Sequence, residues 1–270
     1  MTPGLPSGDL PRTDQGDVHP PLRVLITGGG TGGHVYPGLA VARALEKLAP
    51  GSEVRFAGTS KGIEAVLVPR AGYRLATLPA SGFRGLGAGA RFRFLWNFGL
   101  GFFRAILMFL VWRPRVVLGT GGFVSAPVML AARVMGIICA LQEQNAIPGS
   151  TNRLVGRWAR RIYLGFGGAA RYFKHGRCVT TGNPVRPEFL AEAGGAVPST
   201  KPAGHNLLVF GGSRGAATLN TAVVEAAATW REREDLFLLI QTGPGDHPGV
   251  VKAFSGCPRD RVEVVPFIED

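Results

Sequence analysis

The chain has 270 residues, of which 46% are hydrophobic and 40 are glycines, and its 30 lysines and arginines outnumber 18 aspartates and glutamates to give a net charge of +12. This size and composition fit a loop-rich α/β protein of one large or two small domains, whose basic surface attracts nucleic acid, anionic lipid or phosphorylated substrates. The three cysteines lie far apart without a CxxC pair, which argues against a disulfide framework or a structural zinc site and indicates reduced thiols.

Along the chain, a polar tail is followed by alternating strands and helices. Residues 1–20 are rich in proline, glycine and aspartate and contain no apolar core, which predicts a disordered tail and not a signal peptide. An apolar run that ends in glycines and continues as a helical pattern then starts at Arg23–Ile26, Val116–Leu118 and Leu207–Phe210. Further strands are predicted at Glu53–Ala57, Ile137–Gln142, Arg161–Tyr163, Leu236–Gln241 and Val262–Val265. This alternation predicts βαβ units with parallel sheets.

The first glycine-rich segment, Gly28–Gly33, follows an apolar strand and precedes His34, where a helix is predicted to begin. Glycines let the backbone approach a ligand closely, and the free N–H groups and positive dipole end of the helix suit a phosphate. His34 would stand beside that anion and could move a proton near neutral pH. We therefore predict a diphosphate site with chemistry at His34; the alternative is a polar residue at the helix start with no role in a reaction.

The same segment matches the G-x-G-x-x-G pattern of dinucleotide-binding folds only in form. That pattern also needs an acid at the end of the second strand, but Val54–Ala57 is followed by Gly58 and Thr59. A P-loop is excluded because no Gly-Lys-Ser/Thr follows the glycines. The prediction is therefore a glycine-rich anion cradle and not a dinucleotide site.

Residues 91–115 form a basic and aromatic segment that is almost entirely apolar between Phe94 and Trp112. Its length suits a membrane span, but Arg104 lies in the middle, where a charge costs roughly 2.5–3.5 kcal/mol. A buried crossover helix is the second alternative. The flanking arginines favour a third, an interfacial helix with aromatic side chains in lipid and arginines at lipid phosphates. Its predicted docking residues are Arg91, Arg93, Trp96, Phe98, Phe102, Phe103 and Arg113.

Polar residues at Gln142–Gly149 directly follow a predicted strand, at the sheet edge where open α/β sheets bind ligands. Asn145 could hydrogen-bond a sugar or an amide, and Glu143 could act as a base or orient one. A merely hydrophilic loop is the alternative.

The strand and helix pattern breaks near Asn183–Arg186, which predicts a domain boundary between residues 184 and 185. Arg186 could bind a phosphate there through its guanidinium, although a plain surface arginine remains the alternative. Gly211–Gly215, which includes Ser213, repeats the cradle pattern in the second half. We expect the two cradles to face each other across one cleft, and the second half to be too short for a complete doubly wound domain.

Metal and nucleic-acid sites are not expected. The sequence contains no Asp-x-Asp and no histidine and carboxylate cluster at metal spacing, so we predict neither a metal nor another cofactor. Its aromatic residues cluster in one apolar segment and do not alternate with basic residues along a strand, which argues against a nucleic-acid partner.

Several of these segments occur in the order and spacing of one known family. They are Gly28–His34 with Val35–Ala40, Val117–Pro127, Glu143–Asn145, Thr151–Arg153, Gly182–Arg186, Gly211–Ala216 and Phe267–Ile268. Over residues 21–270 the chain resembles the MurG family, the lipid-linked N-acetylglucosaminyltransferases of bacterial cell-wall synthesis. The resemblance implies an α/β GT-B fold of two Rossmann-like doubly wound parallel-sheet domains. Residues 21–184 would bind the acceptor and the membrane, and residues 185–270 would be part of the UDP-sugar donor domain.

The resemblance also implies an activity. This is the inverting transfer of GlcNAc from UDP-GlcNAc to the MurNAc 4-hydroxyl of undecaprenyl-diphosphate-MurNAc-pentapeptide, the step from lipid I to lipid II in peptidoglycan synthesis. The protein would be peripheral, on the cytoplasmic face of the plasma membrane, with an anionic membrane surface as a partner.

Residue roles follow from the same resemblance. His34 would be the base, and Glu143 would orient or assist it. The remaining contacts would be Thr31, Gly32 and Gly33 to the acceptor diphosphate, Asn145 to a sugar, Arg186 and Ser213 to the donor diphosphate, and Ile268 to uracil.

Two departures from the family pattern matter. Gln142 stands where the family has a histidine, and the family continues past Ile268 with residues that grip the donor. We therefore expect these 270 residues alone to bind UDP-GlcNAc weakly and to be inactive without the missing part. The alternatives are another GT-B enzyme, a UDP-GlcNAc epimerase, or a non-catalytic membrane-associated scaffold.

Overall fold

A computed structural model describes residues 21–82, 87–173, 177–185, 204–212, 215–258 and 260–268. The chain divides into two compact units, Met1–Gly194 and Gly195–Asp270. The predicted tail at residues 1–20 lies outside the described residues, as do residues 186–203 just after the predicted domain boundary. Both expectations stay predictions.

The first unit is built on seven parallel strands in the order β3-β2-β1-β4-β5-β6-β7. The strands are β1 (Arg23–Gly28), β2 (Glu53–Gly58), β3 (Arg74–Thr77), β4 (Val116–Gly121), β5 (Ile138–Glu143), β6 (Arg161–Leu164) and β7 (Cys178–Thr180). Strand β1 pairs with β2 on one side and with β4 on the other, so the strand order reverses between β1 and β4. Ligands of open α/β sheets bind at the carboxyl ends of the strands at such a reversal.

Helices cover both faces of this sheet. They are α1 (Gly32–Leu48), α2 (Glu64–Arg70), α3 (Ala88–Trp112), α4 (Ser125–Val134), α5 (Ser150–Val155) and a 3₁₀ helix at Gly167–Tyr172. Successive side chains of a strand point to opposite faces, and in β1 they enter different cores. Leu25 packs with Phe109 of α3, whereas Ile26 packs with Leu39 of α1. The unit is therefore doubly wound, as predicted.

The second unit is a smaller parallel sheet in the order β10-β9-β8. Its elements are β8 (His205–Phe210), α6 (Ala217–Arg231), β9 (Leu236–Gln241), α7 (His247–Ala253) and β10 (Val262–Val265). Val223 and Val250, one from each helix, pack on Leu238 and Ile240 of β9. The predicted strands of both units are confirmed, whereas β3 and β7 were not predicted because they are short and lack an apolar run.

Helix α3 has one packed face and one exposed face. Ala105, Phe109 and Trp112 are buried in the core of the first unit. The opposite face exposes Phe92, Leu95, Trp96, Leu100, Phe103, Leu107, Leu110 and Val111. Within the described ranges, Gly89–Trp112 is the one helix long and apolar enough to cross a membrane, and 17% of its most apolar stretch is buried. Its inner face belongs to the core of the first unit, and its outer face is exposed.

Candidate functional site

Two glycine turns meet at the strand reversal. Gly28–Gly33 follows β1 and Gly119–Gly122 ends β4, and the Gly29 amide donates to the Gly121 carbonyl at 3.3 Å. Gly122 has φ 83°, and a Cβ added there would lie 2.3 Å from the Gly29 carbonyl oxygen. Only glycine accommodates both the left-handed backbone and this contact. The glycines therefore bring these two turns into contact at the carboxyl ends of β1 and β4.

His34 lies in the first turn of α1, beside both glycine turns, and is half-buried. Its Nδ1 is 3.0 Å from the Thr120 carbonyl oxygen. A carbonyl can only accept a hydrogen bond, so Nδ1 carries the hydrogen and the Nε2 lone pair of the neutral ring is left to accept a proton. This is the arrangement that a general base requires.

The start of α1 supplies free backbone donors next to this histidine. The first amides of a helix have no partner within it, and in the described part of the chain the Thr31 carbonyl accepts from the amides of His34 and Val35. Thr31 and Gly33 are exposed, whereas Gly32 is buried. Among the described residues no backbone group accepts from the Gly32 or Gly33 amide, and the dipole of α1 favours an anion at this end of the helix.

Glu143 is fully buried and accepts three hydrogen bonds from described residues. Its Oε1 accepts from the Asn145 backbone amide at 2.8 Å and from Asn145 Nδ2 at 3.0 Å, and its Oε2 accepts from Asn152 Nδ2 at 2.8 Å. Glu143 therefore orders the loop after β5 through Asn145 and Asn152, and its role in orienting or assisting the base stays a prediction. Asn145 is exposed at this loop and accessible to a ligand.

Asn152 is a site residue to which sequence reasoning gave no role. It is buried on α5, and a Cβ added at Gly121 would lie 2.7 Å from His34 Nδ1 and 3.4 Å from Asn152 Nδ2. Gly121 therefore separates His34 from Asn152, and Glu143 holds Asn152 from the other side. Its only signal in the sequence was the Thr151–Arg153 match to the family pattern.

A network of side-chain hydrogen bonds links Asn183 to the Thr120 carbonyl, which also binds His34. Asn183 Nδ2 donates to the Gln144 carbonyl oxygen at 3.1 Å, and Gln142 Nε2 donates to Asn183 Oδ1 at 3.4 Å. Gln144 Nε2 donates to Gln142 Oε1 and, at 2.7 Å, to the Thr120 carbonyl oxygen. Thr120 thus accepts hydrogen bonds from both Gln144 and His34. Gln142, which stands where the family has a histidine, takes part in this hydrogen-bond network through Asn183 and Gln144.

The glycine turn of the second unit packs on the end of β9. Gln241 Nε2 donates to the Gly212 carbonyl at 2.9 Å, and a Cβ added at Gly215, with φ 73°, would lie 1.8 Å from the Thr242 carbonyl oxygen. Ile268 follows β10 and is half-buried. Arg186 and Ser213 lie outside the described residues, so the roles expected of them stay predictions.

The predicted docking residues divide between the two faces of α3 and its ends. Trp96 and Phe103 are 65% and 64% exposed on the outer face, and Arg91, Arg93 and Arg113 are exposed near the helix ends. Phe102 is half-buried and packs against the core, so the structure places it on the inner face. Phe102 is therefore a correction to the predicted set.

Among the residues with a described structure, no three histidine, cysteine, aspartate or glutamate side chains come together as a metal site. The polar groups at the strand reversal are backbone amides, side-chain amides, one histidine and buried carboxylates. Such a set can hold an anion and accept a proton.

Similarity to known proteins supports the same interpretation. The chain is 40% identical over 250 residues to a Geotalea daltonii protein named UDP-N-acetylglucosamine--N-acetylmuramyl-(pentapeptide) pyrophosphoryl-undecaprenol N-acetylglucosamine transferase, covering 92% of this chain and 68% of that protein. The crystal structure of MurG from Acinetobacter baumannii matches with a TM-score of 0.63 at 30% identity, covering 93% of this chain and 68% of that one.

A UDP-GlcNAc 2-epimerase from Neisseria meningitidis, solved with UDP-GlcNAc bound, also matches, with a TM-score of 0.62 at 12% identity over 92% of this chain and 73% of that one. At that identity the likeness shows the fold alone. Residues 24–164 match the glycosyltransferase family 28 N-terminal domain, and residues 206–270 match the glycosyltransferase family 28 C-terminal domain. With a GT-B fold and both family domains matched in order, the chain belongs to glycosyltransferase family 28.

Proposed function

We propose that this chain transfers GlcNAc from UDP-GlcNAc to the MurNAc 4-hydroxyl of undecaprenyl-diphosphate-MurNAc-pentapeptide, with inversion at the anomeric carbon. The names of its relatives, which share about 40% of their residues with it, support this substrate pair. The observation that carries the proposal is His34, whose Nδ1 is bound to the Thr120 carbonyl and whose Nε2 has no hydrogen-bond partner among the described residues, beside a pair of glycine turns.

In this mechanism the first unit binds the acceptor. The Gly32 and Gly33 amides, with Thr31 at the start of α1, hold the diphosphate of the lipid. His34 Nε2 takes the proton of the MurNAc 4-hydroxyl, while the oxygen of that hydroxyl forms a bond to the anomeric carbon of GlcNAc. The bond from that carbon to UDP breaks on the opposite face, and its electron pair leaves with UDP.

In the same proposal the donor contacts come from Arg186, which lies within Met1–Gly194, and from residues of the second unit. Arg186 and Ser213, with the amides of the neighbouring glycines, hold the UDP diphosphate and stabilise the charge that develops on it. Ile268 contacts the uracil, and Asn145 of the first unit contacts a sugar. No metal and no other cofactor takes part.

We further propose that the exposed face of α3 binds the cytoplasmic surface of the plasma membrane, and that nucleic acid is not a partner. Eight large apolar side chains on this face are exposed, which supports insertion at the lipid interface. Arg91, Arg93 and Arg113 are exposed near the helix ends, which supports their contact with anionic head groups. The acceptor is itself a membrane lipid, so docking brings the site to its substrate.

Replacing Arg91, Arg93 and Arg113 together with serine is expected to weaken binding to anionic vesicles by roughly 1 kcal/mol per charge. The measurement is co-sedimentation with vesicles of phosphatidylglycerol and phosphatidylcholine at several salt concentrations. The matched control replaces Lys47, Lys61 and Arg70, exposed cations on or beside α1 and α2, which pack against the other face of the sheet. If the fraction of protein bound to vesicles changes neither with salt concentration nor with the arginine substitutions, the docking proposal is contradicted.

The transfer itself is tested with UDP-[¹⁴C]GlcNAc and the lipid-linked MurNAc-pentapeptide in vesicles. The assay uses the chain extended with the corresponding segment of the Geotalea daltonii relative, because the chain spans 68% of that protein. A labelled lipid-linked disaccharide is expected. Conversion of UDP-GlcNAc to its C2 epimer without acceptor would favour an epimerase, and lipid binding with no heat of UDP-GlcNAc binding would favour a scaffold.

A further inference from the structure

A second buried carboxylate, Glu64 at the start of α2, lies directly behind the glycine turn of the first unit. Its side chain is 1% exposed. Its Oε2 accepts from the Gly30 amide at 2.9 Å, and its Oε1 accepts from the Thr59 amide at 2.9 Å and the Thr59 hydroxyl at 2.6 Å. The Thr59 hydroxyl in turn accepts from the Gly62 amide at 3.1 Å. Glu64 thus ties the turn after β2 to the turn after β1.

Three glycines leave room for this carboxylate. A Cβ added at Gly29, Gly58 or Gly62 would lie 2.3, 2.6 or 2.1 Å from the nearest Glu64 atom. These glycines belong to two separate segments, so the packing around Glu64 is specific to its carboxyl group. This packing indicates that the glycines and the Glu64 side chain fix each other's positions.

The carboxylate stays charged although it is buried. Burial alone would raise the pKa of Glu64, but the hydrogen bonds from Thr59 and Gly30 outweigh it and leave the pKa below its ordinary value. No ion pair to Glu64 occurs among the described residues. Its partners are therefore N–H and O–H donors, and one of them belongs to the glycine turn that faces the ligand.

We propose that Glu64 is a positioning residue for the diphosphate site of the first unit. By accepting the Gly30 amide, it fixes the glycine turn so that the ligand anion meets the Gly32 and Gly33 amides at the start of α1. This inference rests on the proposed function, because it assigns a residue to the acceptor diphosphate site.

The position of Glu64 also explains why the first unit is not a dinucleotide site. Dinucleotide-binding folds place an acid at the end of the second strand, where it accepts the ribose hydroxyls. Here the acid in question is Glu64, five residues after Thr59, which directly follows β2. Both of its carboxylate oxygens already accept hydrogen bonds from the protein. The Gly30 amide already donates to this carboxylate and is therefore not available to a phosphate.

The test is Glu64→Gln, which keeps the shape of the side chain but removes its charge and turns one acceptor into a donor. The probe is farnesyl diphosphate, with farnesol as the control for binding through the prenyl chain alone. The dissociation constant of farnesyl diphosphate is expected to rise about tenfold or more, because the turn before the Gly32 and Gly33 amides loses the charge-assisted hydrogen bond that fixes it. The amide proton of Gly30, which donates to a carboxylate in the unchanged protein, is expected to shift upfield in the variant, while binding to anionic vesicles through α3 stays within about twofold.

Glu46→Gln is the matched control, since it removes an exposed carboxylate from α1 and is expected to change neither readout. A second pair of variants guards against misfolding of Glu64→Gln. Thr59→Val removes the hydroxyl that donates to Glu64 and is expected to weaken binding about threefold, whereas Thr59→Ser keeps it and is expected to bind like the unchanged protein.

Unchanged or tighter binding of farnesyl diphosphate in both Glu64→Gln and Thr59→Val would overturn the inference and leave the proposed function standing. Failure of the unchanged protein to bind farnesyl diphosphate better than farnesol would overturn both.

Discussion

Replacing His34 with alanine is expected to lower the rate of GlcNAc transfer by about 10²–10⁴-fold, the usual contribution of a general base. The Michaelis constant for the lipid acceptor should change little, because in the proposed mechanism the diphosphate contacts come from backbone amides of α1 and not from the imidazole. The loss should therefore fall on kcat, since the proton of the acceptor hydroxyl no longer has an acceptor in the transition state.

Two further variants decide what His34 contributes. His34→Asn can keep a hydrogen bond to the Thr120 carbonyl through its side-chain amide, but it has no basic nitrogen. It should be as slow as His34→Ala in the same transfer assay. His205→Ala, an exposed histidine of the second unit, should be fully active. Recovery of activity in His34→Asn would reduce His34 to a structural hydrogen bond and remove the base from the mechanism.

The second large effect is expected at Gly122, where the two glycine turns touch. Alanine there must adopt φ 83°, and its Cβ would lie 2.3 Å from the Gly29 carbonyl oxygen, which is backbone and cannot move alone. We expect Gly122→Ala to destabilise the first unit by about 2–4 kcal/mol and to displace the turn that carries the Gly28–Gly33 amides. Denaturant unfolding and binding of farnesyl diphosphate would measure the two consequences.

Gly136→Ala is the matched control because Gly136 has a similar backbone, with φ 70°, and no atom within 4 Å of an added Cβ. It should cost about 1 kcal/mol from the backbone alone and should leave diphosphate binding intact. Equal effects of the two alanines would mean that contact between the turns does not shape the site.

Most of the fold could be predicted because its signals are local. The strand at Arg23–Ile26, the glycines after it and the helix beginning near His34 all show in consecutive residues, and the structure confirms them. The turn at Gly119–Gly122 was predicted in the same way. Its contact with the first turn was not, because that contact depends on β1 and β4 being neighbours in the sheet.

Side-chain partners over long separations could not be predicted. Glu64 binds the Gly30 amide across 34 residues of sequence, and nothing in either segment indicates the other. Glu143 was correctly placed at the sheet edge, but only the structure shows that its oxygens point back to Asn145 and Asn152. In α3 both faces are apolar, so the sequence could not tell Phe102 on the packed face from Phe103 on the exposed one.

The most direct measurement is a titration of the ¹⁵N-labelled protein with farnesyl diphosphate, followed residue by residue at the backbone amides. If the start of α1 holds the acceptor diphosphate, the largest shifts will be at Gly32, Gly33 and His34, while the Gly30 amide, occupied by Glu64, will move little. If the largest shifts fall instead in the second unit, or if farnesol alone produces the same pattern, then this helix start is not the anion site and His34 is not beside the acceptor.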